Sequence, residues 1–117
     1  MIDWTTAGSG HLRNMGMELS LDTQEAIENY VLRGWAPGGY VEAMMAHDYE
    51  RAFYMADTAN RQTIWVLWRW ITDEAPALCH GSYRAITHWR NDVDGCRTAY
   101  RQELEKKAIW NKLRTIA

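Results

Sequence analysis

The sequence predicts an all-α fold, a compact bundle of five to six helices forming a single domain over residues 1–117. Three observations carry this. Apolar side chains recur at three- and four-residue spacing in segment after segment, and no segment alternates as a half-buried strand would. Gly, Pro, Asn and Asp clusters interrupt the chain at intervals that suit short helices. The richest apolar stretch, residues 63–71, holds three of the seven tryptophans. There Ile64, Leu67, Trp68 and Ile71 form one stripe, widened by Trp65, while Val66 and Trp70 form a second row. A helix apolar on nearly every side is normally one that others surround, so residues 58–74 are expected to be the central helix.

Residues 1–20 show little periodicity and contain Gly8, Gly10 and Gly16; they read as an irregular arm, with Trp4 as its anchor. Asp22 and Glu25 have the spacing of a capping box opening the first helix, whose buried stripe is Ala26, Ile27, Tyr30 and Val31. Gly34 is its stop, a place where positive φ costs glycine nothing. Pro37, Gly38 and Gly39 form a tight corner into a short helix carrying Val41, Met44 and Met45 inward. Asp48 is expected to cap a third segment that buries Ala52, Phe53, Met55 and Ala56. Asp57 or Thr58 caps the central helix. That helix ends by Ala75, because a residue preceding proline is pushed out of the helical region. Ser82 caps a helix over 83–90 with Ala85, Ile86 and Trp89 inward, and residues 91–95 break the chain again. A basic helix over 97–115 closes the domain, with Tyr100, Leu104 and Leu113 near one line.

Composition excludes several classes. With 47% hydrophobic and 12% aromatic residues the chain is not a disordered one. The richest apolar run is interrupted by Arg69, Asp73 and Glu74, well short of the ~18 residues of a membrane span. Two cysteines, Cys79 and Cys96, without an export signal read as reduced thiols in a cytoplasm, with a disulfide as the lesser alternative. The net charge of −2 is uneven: residues 1–60 carry nine acids and three bases, residues 61–117 ten bases and six acids. Intrachain pairing and a symmetric dimer both suit this asymmetry. So does a C-terminal helix that contacts phosphate or an acidic partner.

Three constellations bear on chemistry. Gly38 and Gly39, directly before a helix, leave its first amides bare and able to approach an anion. Arg33 can add charge, Trp35 and Tyr40 can stack on a base, and Asp48 ends the segment. The bland alternative is a corner between packed helices, with Trp35 and Tyr40 filling core. Asp48, Asp57 and Asn60 stand near helix starts and are explained by capping alone. Cys79, His80, His88 and Cys96, with His47 and Asp48 nearby, match no closed zinc spacing. They read more simply as buried thiols and surface imidazoles, so neither metal nor cofactor is expected. No nucleophile-elbow or acid–base pair emerges, which points away from an enzyme. Seven tryptophans exceed what one small core takes; Trp4, Trp35 and Trp110 are expected as exposed anchors, with Arg101 and Lys107 as further partner contacts.

Residues 32–48 (LRGWAPGGYVEAMMAHD), followed by Ala52, Ala56-Asp57 and Asn60, and then by Ala75-Pro76, Cys79-His80-Gly81-Ser82 and Trp89, resemble a group of small uncharacterised phage proteins. The resemblance covers roughly residues 22–90. It implies a phage or prophage origin, and marks 34–48 and 76–82 as signature segments. The reading that follows is a non-enzymatic protein that binds a host protein, inhibiting a defence system or a host machine. The alternative is a binder of nucleotides or signalling nucleotides through 34–48. The third is a nucleic-acid contact through the basic C-terminal helix.

Overall fold

The computed structural model describes residues 19–116, with side chains through Lys107, and among these residues it is all helix and turn. Six helices follow in order: α1 (Leu21–Arg33), α2 (Gly39–Met45), α3 (Tyr49–Met55), α4 (Thr58–Asp73), α5 (Tyr83–Arg90) and α6 (Cys96–Ile116). Single 3-10 turns at Ala77–Cys79 and Val93–Gly95 precede α5 and α6. The expected all-α bundle is therefore the fold. Trp4 and the side chain of Trp110 lie outside the described residues.

Local chemistry sets the boundaries. Ser20, not Asp22, caps α1: its Oγ accepts from the Thr23 amide at 3.2 Å, while Asp22 lies in the first turn near the positive end of the dipole. Asp48, Asp57 and Ser82 cap α3, α4 and α5 as their positions predict. Asn60 is no cap. Its backbone amide donates to the Asp57 carboxylate at 2.8 Å, and its side-chain oxygen accepts from the Thr23 hydroxyl at 3.1 Å, tying α4 to α1. Gly34 ends α1 at φ 73°, its amide donating to the Tyr30 carbonyl at 2.9 Å.

The core corrects the central expectation. The surrounded element is α2, not α4: Tyr40, Val41, Ala43, Met44 and Met45 are all buried, and α2 packs against α1, α3, α4 and α5. A seven-residue helix is unstable alone, so it exists because its neighbours enclose it. Helix α4 buries only Leu67, Trp70 and Ile71, with Ile64 and Val66 half-buried beside them. Trp65 and Trp68 remain 55% and 46% exposed. The apolar stripe read from the sequence counted them as core, yet one side of α4 suffices to cover α2. Phe53 and Met55 likewise stay outside, since the small Ala52 and Ala56 make the inward contact of α3.

Two long-range hydrogen bonds pin the helices behind α2. The Tyr30 hydroxyl donates to the Cys79 carbonyl at 2.6 Å, and the Trp89 indole donates to the Val31 carbonyl at 3.1 Å. Both donors and acceptors are buried, so each bond removes a desolvation cost of ~1–3 kcal/mol that an orphaned group would carry. Cys79 and Cys96 are both free thiols.

Candidate functional site

The 34–48 segment is built for packing more than for an anion. Gly38 is the N-terminal boundary residue of α2 at φ 83°, ψ 163°, a region open only to glycine. A Cβ on Gly39 would lie 2.2 Å from the Met55 Cε, so Gly39 is small because α3 lies against it. Tyr40 is buried, with its hydroxyl 3.5 Å from the Asn60 carbonyl; its ring is not available to stack on a base, contrary to expectation. Trp35 is 58% exposed, and the Arg33 guanidinium lies 5.9 Å from its ring centroid. The six residues expected to act together are thus split. Arg33 and Trp35 face one way, while Gly39 and Tyr40 belong to the interior. Asp48 sits at the far end of α2.

At that far end the two signature segments meet. The Gly81 amide donates to the Met45 carbonyl at 2.8 Å, and His47 Nε2 lies 2.8 Å from His80 Nδ1. His47 holds φ 61°, a left-handed conformation that α2 needs in order to turn into α3. Beside it the Tyr83 hydroxyl donates to Asp48 Oδ2 at 2.6 Å and accepts from Arg51 Nη1 at 2.9 Å. Arg51 also pairs with Glu42 at 3.6 Å. Burial, then the neighbouring His47, holds the His80 pKa below the ordinary histidine value. The Asp48 hydrogen bond raises the Tyr83 phenol above its usual range. A shallow hollow of ≈ 340 Å³, lined by Asp48, Glu50, Arg51 and Tyr54, opens alongside. Asp48 is committed to Tyr83 and to the α3 cap, where it accepts from the Arg51 amide, so it is no free base. Neither is Cys79 free to act: it is fully buried, and burial pushes its thiol pKa up. Among the described residues no three His, Cys, Asp or Glu side chains gather as a metal site.

The C-terminal end of α1 is a different environment. Arg90 Nε donates to the Gly34 carbonyl at 3.1 Å, and Arg101 Nε donates to the Leu32 carbonyl. The Arg97 guanidinium covers Gly34, 2.8 Å from where a Cβ would stand. Arg101, expected as an outward partner contact, therefore folds back onto α1, whereas Lys107 is exposed.

The third feature is the outer side of α4. Arg61, Trp65, Trp68 and Thr72 are spaced i, i+4, i+7 and i+11, which places them on one line, and all four are exposed. Arg61 extends that line to α3: its Nε donates to the Phe53 carbonyl at 3.3 Å and its guanidinium lies 5.5 Å from the Phe53 ring.

No protein-family model, curated protein or solved structure matches this chain. The sequence reading singled out neither Arg51 and Tyr83 nor Arg90, Arg97, Trp65 and Trp68 as site residues. For Trp65 and Trp68 a signal existed: Arg61, Trp65 and Arg69 share one side of the helix, and a helix that is truly surrounded does not carry two arginines there.

Proposed function

We propose that this chain is a non-enzymatic interaction protein of phage origin. It works in the cytoplasm of an infected or lysogenic host by occupying a surface of a host protein, part of a defence system or another host machine. The observation that carries the reading is the aromatic line Phe53–Arg61–Trp65–Trp68 on the α3–α4 surface. Trp and Arg are the side chains that most often dominate binding energy at protein interfaces, and a cluster of exposed large apolar groups marks such a surface. Arg61 and Arg69 border the two indoles, and neither has a carboxylate within ion-pair distance among the described residues. The matching partner surface is an apolar pocket rimmed by carboxylates.

Asp48 and Ser82 serve as helix caps, and Cys79 belongs to the core. The phage origin rests on the resemblance of residues 32–48 and 75–82. The test is affinity capture from host lysate with the parent chain and with a Trp65→Ala/Trp68→Ala variant as baits. One dominant host protein held by the parent and lost by the variant is expected. Equal capture by both baits removes the assignment of this surface.

A further inference from the structure

We propose that His47 and His80 form a two-imidazole binding site for a divalent transition metal, Cu2+ or Ni2+, with water completing the shell of the ion. The site joins the α2–α3 corner to the segment before α5. It uses no residue of the α3–α4 aromatic line, so it stands independently of the partner surface. Its starting point is the meeting of two ring nitrogens, His47 Nε2 and His80 Nδ1, at 2.8 Å. His47 is exposed and His80 half-buried, so an ion reaches the pair from solvent. Neutral imidazole is the commonest protein ligand for such metals.

The two rings are brought together by backbone that is fixed without them. On one side, the His47 amide donates to the Met44 carbonyl at 3.1 Å and the Asp48 amide to the Ala43 carbonyl at 2.9 Å. On the other, His80 lies between Cys79, whose carbonyl accepts from the buried Tyr30 hydroxyl at 2.6 Å, and Gly81, whose amide donates to the Met45 carbonyl at 2.8 Å. The Tyr83–Asp48 bond at 2.6 Å ties the same two segments a second time. The Tyr49 ring stacks against His47, with centroids 5.6 Å apart and planes at 18°. Ligands placed in advance by the fold lose little freedom when an ion arrives.

The spacing selects the metal. Nitrogens ~2.0–2.1 Å from one ion stand about 2.9 Å apart at a right angle and about 3.3 Å apart at a tetrahedral one. The observed 2.8 Å fits the right angle, the arrangement of neighbouring ligands in the tetragonal shells of Cu2+ and Ni2+. The ring centroids are 5.0 Å apart with planes at 33°, so a turn of each imidazole aims both lone pairs at one ion. Sequence spacing tested Cys79, His80, His88 and Cys96 as one set. Folding instead buries Cys79 and delivers His47 from 33 residues away.

Calorimetric titration of the intact chain with Ni2+ and with Mg2+ tests this. Ni2+ is expected to bind one per chain and more tightly than Mg2+, which prefers oxygen ligands. His47→Asn and His80→Asn are each expected to weaken Ni2+ by at least about tenfold, a loss that even outer-shell partners of a metal can cause. His88→Asn, an exposed position on α5, is expected to change nothing. Asparagine tolerates φ 61° at position 47 and the extended backbone at position 80, so both variants keep the corner. Should either variant melt below its parent, electron paramagnetic resonance of the parent with one equivalent of Cu2+ decides, with coupling to two imidazole nitrogens expected. No Ni2+ binding up to about 1 mM, where a ligand of millimolar Kd is half bound, overturns the proposal. Unchanged Ni2+ affinity in His80→Asn does so too, as does an equal loss in His88→Asn. Mg2+ binding as tight as Ni2+, or fewer than two nitrogens on Cu2+, also overturns it.

Discussion

His47 and His80 meet nitrogen to nitrogen at 2.8 Å, although 33 residues separate them in the chain. A hydrogen bond there requires one ring to donate and the other to accept, so the contact holds only while at least one imidazole is neutral. It joins the α2–α3 corner to the segment leading into α5, alongside the Met45–Gly81 backbone bond and the Asp48–Tyr83 bond.

The pH dependence of stability follows from this contact. The unfolded chain protonates His80 near pH ~6.5, whereas the folded chain holds its pKa lower. Below about 6.5 the unfolded state binds more protons, so stability falls as pH drops toward the folded-state value; above it His80 contributes no change. Melting temperature measured between about pH 7.5 and 5 should decline, and His80→Asn should flatten the decline. Parallel curves for parent and variant would show that the pair does not couple to folding.

The glycines of the α1–α2 corner make a second test, because backbone and packing, not ligand, explain them. Gly38→Ala touches nothing within 4 Å but forces φ 83° on a side-chain-bearing residue. It should cost ~1–3 kcal/mol in urea unfolding. Gly39→Ala meets only the flexible, exposed end of Met55. It should cost less, and Met55→Ala should recover most of the loss. A Gly38→Ala protein as stable as its parent contradicts the assigned conformation.

Thiol reactivity separates the two cysteines. Cys79 is fully buried with its thiol held protonated by burial, while Cys96 is half-buried at the start of α6. Thiolate is the reactive form. The native protein should therefore take one equivalent of a thiol reagent, at Cys96, and a second only after unfolding, read by mass spectrometry. Modification of Cys79 in the folded protein would place that residue wrongly.

Much of the fold was legible, and its failures share a cause. Caps at Asp48, Asp57 and Ser82 and the stop at Gly34 are decided within one helical turn, so local chemistry reveals them. Which helix lies at the centre is decided by packing among all of them. Helix α2 is short and carries two methionines, which advertises nothing, yet it is enclosed; α4 is rich in tryptophan, yet half of that surface faces outward. Hydrophobicity identifies what can be buried, not how much of it the neighbours can cover. The binding segment suffered similarly. Arg33 and Trp35 were found from sequence, but Arg90, Arg97 and the inward turn of Arg101 depend on α5 and α6 docking against the end of α1.

The two sides of α4 should separate under mutation. Leu67 is fully buried, and Leu67→Ala should cost ~2–5 kcal/mol. Trp65→Ala and Trp68→Ala remove exposed rings and should change stability by no more than about 0.5 kcal/mol. A large loss of melting temperature in the tryptophan variants would mean that these rings are structural.

The most direct measurement is the affinity of the captured host protein for the parent chain and for Trp65→Ala/Trp68→Ala, taken by calorimetry beside the melting temperature of each. Two anchoring tryptophans predict binding weaker by at least about 30-fold, the equivalent of ~2 kcal/mol, with an unchanged melting point. Equal affinity for both proteins would contradict the account, because the aromatic line on α3–α4 would then not be the surface that holds the partner.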